Sequence, residues 1–304
     1  MWIALLYNIK NEHDIYTKMN IKKIAVIGKY NNLKIDSNFK EKLIHLVSFL
    51  KNNNLEVVIE EKTNKQFDLN LSEIAKLDNL GNVDLAIILG GDGTMLGVGR
   101  VIAHQKIPMV GINHGRFGFL ADLSIIEMEN ALKQIFKGSF KEDKRILLEA
   151  KVFRKSKIIY QSEALNDIVI KSGSRLIELD LTVNNRFLHR QRSDGVIVST
   201  PTGTTAYALS AGGPILHPEL DAISIVPISP HTLSNRPIAI NANHEIAARV
   251  IEMDEGYVSV DGQIKFPLNT NDLIVISKSK NFISILHPQD YCYFEMLRKK
   301  LNWG

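Results

Sequence analysis

The chain has 304 residues, of which 45% are hydrophobic and 23% charged, and its formal net charge is +4. These values are typical of a soluble globular protein with room for two domains, and they exclude a disordered or fibrous chain. The lysines and arginines form no stripe along any one segment, so we do not expect nucleic-acid binding. The single cysteine, Cys292, cannot form a disulfide within the chain, which favours a reducing, cytoplasmic location.

The first residues, MWIALLYNIKNEHD, contain an apolar run that stops after Tyr7. The run is too short to span a membrane, and it lacks the preceding basic residues and the cleavage site of a signal peptide. We therefore expect no membrane association. We also expect residues 1–20 to be a dispensable extension, with both Met1 and Met19 open as the start of translation.

Strand and helix patterns alternate over residues 21–145. Apolar runs predict strands at 23–28, 55–59, 84–89 and 107–112, and helical spacing predicts helices at 39–50, 94–105 and 124–137. The run at 84–89 is continuously apolar, as in a strand that is covered on both faces of a parallel sheet. The pattern predicts an α/β domain with a Rossmann-like parallel sheet.

The charged stretch KGSFKEDKR at 137–145 predicts a break, after which short strands dominate. Apolar and polar residues alternate at 177–183, and Asn184-Asn185 and Asp261-Gly262 are hairpin-turn dipeptides. Further short strands are predicted at 245–251, 256–261, 263–268 and 272–277. We expect residues 146–279 to form a mostly-β, sandwich-like domain. Residues 280–304 are expected to form a tail that returns to the α/β domain, with helical spacing in DYCYFEMLRKKLNWG at 290–304.

The sequence LGGDGT at 89–94 places one carboxylate, Asp92, among three glycines at the end of the 84–89 strand. Ligands of open α/β sheets bind beyond the carboxyl ends of strands, and glycines let backbone amides approach a phosphate. The dinucleotide fingerprint fails because Leu96 stands where its third glycine is needed, and a P-loop fails because Tyr30 follows Gly28-Lys29.

Asp92 is unfavourable beside a phosphate unless it has a chemical task. A carboxylate at ~4 Å from a phosphate charge repels it by roughly 4 kcal/mol at an effective dielectric of ~20. That cost is reasonable if Asp92 takes the proton of a hydroxyl that attacks the phosphate. The alternative is that Asp92 only turns the chain.

A second polar segment, RSDGVIVSTPTGTTAYALSAGGP, occupies residues 192–214. A strand at 196–199 runs into a loop that we expect to offer the hydroxyls of Thr202, Thr204 and Thr205 as a polar cradle, followed by a short helix. Tyr207 can stack on a base. Any one of these residues alone could be ordinary turn chemistry.

Together, GGDGT at 90–94, ALND at 164–167 and the 192–214 segment resemble NAD kinases of the bacterial type, and the likeness extends from about residue 21 to the C-terminus. The resemblance implies transfer of the γ-phosphoryl group of ATP to the 2′-hydroxyl of the adenosine ribose of NAD, which gives NADP. It also implies a homotetramer or homodimer. Because the sequence has no evident metal cage made of protein ligands alone, we expect Mg²⁺ to arrive on the ATP phosphates.

The resemblance also assigns roles to residues. Asp92 corresponds to the proton acceptor, and Asn166 and Asp167 to the pair that holds ribose hydroxyls, where the family more often has glutamate second. Asp194 corresponds to the contact with the nicotinamide end. The implied binding residues are Gly91, Gly93, Phe119, Asn166, Asp167, Arg175, Arg192, Asp194, Thr205, Ala206, Tyr207, Ser210 and Gln263.

Two other functions remain open from the sequence. A lipid or sugar kinase could share GGDGT, although it would have no use for the 192–214 segment. A non-catalytic NAD(P)-binding sensor would bind the dinucleotide without forming NADP, although it would have little use for the charge of Asp92.

Overall fold

The computed structural model of the chain describes residues 20–29, 37–69, 71, 73–115, 117–173, 175–232 and 234–303. The expected extension, apart from Asn20, therefore lies outside the described residues. The strands are β1 Lys23–Gly28, β2 Glu56–Glu60, β3 Ile74–Ala75, β4 Leu85–Gly90, β5 Met109–Asn113, β6 Leu123–Ser124, β7 Phe140–Arg154, β8 Lys157–Ala164, β9 Asp167–Ser172, β10 Ile177–Val183, β11 Arg186–Ser193, β12 Gly195–Ser199, β13 Ala222–Ile228, β14 Ile238–Asn241, β15 Ile246–Glu252, β16 Gly256–Val260, β17 Ile264–Pro267 and β18 Leu273–Pro288. The helices are α1 Ser37–Asn52, α2 Glu61–Phe67, α3 Asp92–Ile102, α4 Met128–Phe136, α5 Tyr207–Ser210 and α6 Tyr293–Leu301, with 3₁₀ turns at Ala103–Gln105 and Thr202–Thr205.

A parallel sheet forms the first half of the molecule. β1 pairs in parallel with β2 and β4, and β4 pairs in parallel with β5. Side chains of α1 and α4 cover one face of this sheet, and those of α3 cover the other. Every residue of β4 is buried, as the continuous apolar run predicts. The predicted Rossmann-like layer is confirmed.

The register of β4 and β5 positions the site. Gly90, the last residue of β4, lies opposite Asn113, the last residue of β5. The loops that follow these two strands therefore leave the sheet side by side, at the carboxyl edge where α/β proteins bind ligands.

The second half is a β-sandwich, as predicted. A six-stranded sheet in the order β14-β13-β12-β9-β16-β17 packs against antiparallel strands of the larger sheet through a shared apolar core. The 16-residue strand β18 joins the two halves, because it pairs antiparallel with β15 and β7 and parallel with β5. The larger sheet consequently has 12 strands and extends through both halves.

Three element predictions need correction. The charged stretch at 137–145 is not a break, because β7 runs through it and is paired with β18 from Phe140 onward. The charged residues do not interrupt the ladder, because Lys141, Glu142 and Lys144 are exposed while the buried Arg145 is paired with Asp143. Helix α3 begins at Asp92, two residues earlier than predicted, and α4 begins at Met128 because a turn closed by Ser124 and Glu127 precedes it. The predicted domain boundary at 145/146 stays a prediction.

The C-terminal tail packs on the first half, as predicted. Tyr293, Met296 and Leu297 of α6 form a small apolar cluster with Phe117 and Phe119, which lie in the loop after β5. Within the described part of the chain, no helix is long and apolar enough to cross a membrane.

Candidate functional site

Asp92 lies in the first turn of α3, directly after the capping residue Gly91. Its carboxylate does not point into bulk water. Oδ2 accepts the backbone N–H of Phe119 at 2.8 Å, and Oδ1 accepts those of Leu120 and Ala121 at 2.9 and 3.0 Å. The strand register explains this contact, because the loop after β5 lies beside the start of α3. Phe119, an implied pocket residue, is thus brought directly to Asp92.

A second carboxylate, Asp261, holds the loop that carries Asn166 and Asp167. Its oxygens accept the backbone N–H groups of residues 165–167 at 2.7 to 3.2 Å. Arg100 of α3 donates to Asp261 Oδ2 at 2.7 Å, and the side chain of Asp261 is fully buried. Because α3 begins at Asp92, this ion pair fixes the first half of the site against the second.

The Asp167 side chain is the site's strongly perturbed acid. The residue is 4% exposed, and burial together with the nearby charge of Asp261 raises the pKa of its carboxyl to about 7. Burial favours the neutral form because the charged form loses its hydration. Asp167 is therefore a carboxyl group that changes charge near neutral pH, which is common at functional sites.

Gln263 connects the two halves a second time. Its side-chain amide donates to the carbonyl oxygen of Gly93 at 2.7 Å and accepts from Arg100 at 2.8 Å. A cavity of about 470 Å³ lies at this contact. It is lined by the backbone on either side of Asp92 and by two lysines, and its main residues are Lys29, Lys62, Gly91, Gly93, Thr94, Gly97 and Gln263.

A second cavity of about 280 Å³ lies on the other side of the 261–263 turn. It brings together the implied residues Asn166, Asp167, Ala206 and Tyr207. Lys171 also lines it and donates to the Tyr207 hydroxyl at 3.3 Å, with its ammonium 5.5 Å from the centre of the tyrosine ring. An aromatic face, an amide, a carboxyl and an ammonium group suit a nucleotide with its ribose and phosphate groups.

The threonine-rich loop is arranged differently from the predicted cradle. The hydroxyls of Thr204 and Thr205 donate to the carbonyls of Pro201 and Thr202 at 2.6 and 3.1 Å, and Thr202 Oγ1 accepts from a buried arginine. The hydroxyls therefore hold the loop together. Gly203 is required by space, because a Cβ there would lie 2.1 Å from the carbonyl oxygen of Asn166.

Besides Phe119, which contacts Asp92, and Thr205, whose hydroxyl is used within its own loop, four implied residues lie outside the two cavities. Arg175 is highly exposed and pairs with Asp254 at 3.3 Å, Arg192 is exposed on β11, and Ser210 is exposed at the end of α5. Asp194 lies in the turn after β11, where its carbonyl accepts the N–H of Ser172. Within the part of the chain that the structure describes, neither cavity is lined by these four, so their roles stay predictions.

Sequence reasoning missed three residues that build the site. Asp261 was interpreted as a turn residue, and its backbone does turn, with positive φ at Asp261 and Gly262. Nothing in the local pattern shows that its carboxylate also holds residues 165–167. Arg100 reads as an ordinary residue of a helix. Gly118 leaves room for the Asp92 carboxylate, because a Cβ there would lie 2.0 Å from Oδ1. The glycines of the segment NHGRFGFLADL were the sequence feature that could have indicated this role.

The parallel sheet ends in a carboxylate whose flanking backbone lines a cavity with two lysines, and the β-sandwich carries a second cavity with an aromatic ring, an amide and a carboxyl group. These features are those of a nucleotide-dependent phosphotransferase. A family model described as the ATP-NAD kinase N-terminal domain matches residues 24–140, and one described as the ATP-NAD kinase C-terminal domain matches residues 165–287. The chain belongs to the ATP-NAD kinase family.

Individual relatives agree with this assignment. The chain is 39% identical to an NAD kinase of Thiobacillus denitrificans over 92% of its length and 97% of that protein's. It is 42% identical to an NAD kinase of Burkholderia lata, covering 92% and 93% of the two chains. Its fold is similar to yeast NADH kinase complexed with NADH, with a TM-score of 0.84, 23% identity and coverage of 94% and 88%. It is also similar to an Archaeoglobus fulgidus NAD kinase in complex with ATP, with a TM-score of 0.70, 25% identity and coverage of 93% and 100%.

Proposed function

We propose that this protein transfers the γ-phosphoryl group of ATP to the 2′-hydroxyl of the adenosine ribose of NAD, forming NADP, with Asp92 as the proton acceptor. The observation that carries the proposal is the setting of Asp92. Its carboxylate is fixed by three N–H groups, and the backbone on either side of it lines the cavity with the two lysines. The lipid or sugar kinase alternative is not favoured, since both family models and the relatives at about 40% identity are NAD kinases.

The two cavities suggest how the substrates divide. The ribose of NAD lies against Asn166 and Asp167 in the second cavity, with Tyr207 as the aromatic face. The triphosphate of ATP lies in the first cavity, where Lys29 and Lys62 neutralise its charge. Phosphoryl transfer demands mainly positioning and charge neutralisation from the protein, and this arrangement supplies both.

The ribose hydroxyl loses its proton as its oxygen bonds to the γ-phosphorus, and ADP leaves with the electron pair of the broken P–O bond. Asp92 takes the proton. A carboxylate has about four acceptor positions, and the three backbone N–H groups leave one on Oδ2. That remaining position is the one available to the substrate hydroxyl.

Mg²⁺ fits this site as an ion carried by the nucleotide. Among the described residues, no group of three or more histidine, cysteine, aspartate or glutamate side chains could hold a metal. The first cavity offers lysines and glycine backbone, which suit phosphate groups that carry the ion. Mg²⁺ commonly binds through substrate phosphates and one or two carboxylates, and it would neutralise charge on the β- and γ-oxygens.

The decisive experiment compares the wild type with Asp92→Asn, using NAD, ATP and Mg²⁺ and detecting NADP. We expect kcat to fall by ~10²–10⁴-fold while NAD binding, measured by calorimetry, changes by less than about threefold. Asp180→Asn, on a half-buried position of β10 that pairs with Arg190, is the matched control and should retain activity. Wild-type protein that binds NAD but forms no NADP would instead establish the sensor alternative.

A second experiment tests the donor cavity. Lys29→Ala should raise the KM for ATP by about tenfold or more and leave that for NAD nearly unchanged, because Lys29 lines the first cavity and not the second. Lys265→Ala, which lines the second cavity, is the comparison and should affect NAD instead. Equal effects of both variants on both substrates would contradict the proposed division.

We also propose a cytoplasmic homo-oligomer, a tetramer or dimer. The apolar side chains of Ile158, Ile159 and Phe187 are exposed on β8 and β11, which a second copy of the chain would cover. Light scattering of purified protein at micromolar concentration tests the assembly, and a monomer under those conditions would contradict it.

A further inference from the structure

The turn that holds Asp92 comes from a distant part of the chain. The three N–H donors belong to residues 119–121, 27 to 29 positions after Asp92 in the sequence. An aspartate in the first turn of a helix needs no such partner, because the N-terminal end of the helix already stabilises a negative charge. The stability of the helix therefore does not explain why three backbone N–H groups contact Asp92.

The contact decides how the carboxylate is rotated. Oδ1 receives two N–H groups and Oδ2 receives one, so the two oxygens differ in what they can still accept. We propose that the turn of residues 118–121 is a positioning device for the Asp92 carboxylate, and that Gly118 is the residue on which this positioning depends. The inference deepens the proposed function, since positioning matters for catalysis only if Asp92 is the proton acceptor.

Glycine is required at position 118 because a side chain would not fit there, and not because the backbone conformation needs glycine. A Cβ at this position would lie 2.0 Å from Asp92 Oδ1 and 2.7 Å from its Cγ. Gly118 has no positive φ, so an alanine could adopt its backbone conformation without strain. Its N–H donates to the carbonyl of Ala121 at 3.0 Å, which closes the turn around the carboxylate. A methyl group at 118 would therefore act mainly on Asp92.

The turn is also anchored at its far end. Asp122, the next residue, is buried and lies 2.8 Å from Nδ1 of the fully buried His287 at the end of β18. The other ring nitrogen of His287 lies 3.7 Å from Asp143, and Asp143 pairs with Arg145. Burial alone would lower the pKa of His287, but its contacts with the two aspartates outweigh burial and raise it. The turn is thereby tied to a buried charge cluster, which favours its present position beside Asp92.

The first test is kinetic and compares Gly118→Ala with Gly115→Ala. Gly115 lies in the same loop, and a Cβ there would meet nothing within 4 Å. We expect Gly118→Ala to lower kcat by ~10-fold or more with less than about a twofold change in KM for NAD, and the control to match the wild type. Wild-type kinetics for Gly118→Ala would overturn the inference.

The second test is a stability cycle, which is independent of the proposed function. Gly118→Ala should lower Tm by about 3–8 °C in the wild-type background and by less than half of that in an Asp92→Ala background, where the crowded carboxylate is gone. Equal losses in both backgrounds would show that the crowding does not involve Asp92 and would overturn the inference. If Gly118→Ala does not fold, recovery of folding in the double variant supports the inference, and failure to recover overturns it. Wild-type protein that forms no NADP would remove the proposed function but leave this cycle interpretable.

Discussion

Asp167→Asn should make the ligand-free protein more stable, and only above mildly acidic pH. Burial and the charge of Asp261 raise the pKa of Asp167 from 3.8 to about 7 in the folded state. The folded protein therefore keeps this proton over a pH range in which the unfolded chain has lost it, so wild-type stability falls as the pH rises from about 4 to about 7. Three pH units at about 1.4 kcal/mol each give a loss of about 4 kcal/mol, which then stays constant at higher pH.

Asparagine has no charge to bury, so the variant should escape this loss. We expect Asp167→Asn to match the wild type near pH 4 and to exceed its free energy of unfolding by up to about 4 kcal/mol near pH 8, as measured by urea denaturation at a series of pH values. Asp180→Asn, which removes a half-buried carboxylate whose pKa is lowered by its hydrogen bonds from Arg190, should show no such rise with pH. A gain that is equal at pH 5 and 8, or no gain at pH 8, would refute the reasoning. The same variant should lose affinity for NAD, because Asp167 lines the proposed ribose cavity.

Two further predictions concern buried charges. Burial would raise the pKa of Asp143, but the contacts with His287 and Arg145 outweigh burial and lower the pKa to about 2. The charged Asp143 therefore adds about 2 kcal/mol to the free energy of unfolding above pH 4, and this stabilisation is lost between about pH 4 and 2. Acid unfolding of Asp143→Asn should show a correspondingly smaller pH dependence in this range. Arg100→Met leaves the buried Asp261 without its cation and should lower the free energy of unfolding, measured by urea denaturation, by about 3–5 kcal/mol. Adding Asp261→Asn should restore part of this loss. Additive losses from the two substitutions would contradict a direct pairing.

The sequence predicts the parts of the fold that depend on local pattern. β1 and β10 have the predicted bounds, and the two turn dipeptides adopt positive φ. The charged residues at 137–145 predict a break, but most of them lie on a strand that is paired with β18, and the local pattern does not show that pairing. The role of β18 could not be predicted either. Its pairing with β5 joins segments that lie more than 150 residues apart, and no local pattern encodes that contact.

In the candidate site, too, the sequence predicts some residues and does not predict others. Asp92 is recognisable because a carboxylate among glycines at a strand end is costly without a task. What holds it is not recognisable, because its donors are backbone N–H groups of residues 119–121, which every sequence possesses. Asp261 and Arg100 were missed for the related reason that each resembles an ordinary turn or helix residue until the fold places them 2.7 Å apart.

The three carboxylates of the site show how one chain gives the same functional group different properties. Asp92 and Asp261 each receive three backbone N–H groups, and Asp261 also receives an arginine, so their charges are compensated by fixed dipoles and a cation. Asp167 is buried beside Asp261 and keeps its proton up to about pH 7. Identical side chains thus have different surroundings within one site, which is a precondition for giving them different chemical roles. The state of Asp167 also depends on the pair of Arg100 and Asp261. Arg100 pairs with Asp261, and the charge of Asp261 is one of the two causes that raise the pKa of Asp167. Replacing Asp261 therefore perturbs both the position of the 165–167 loop and the protonation of the residue that the loop presents.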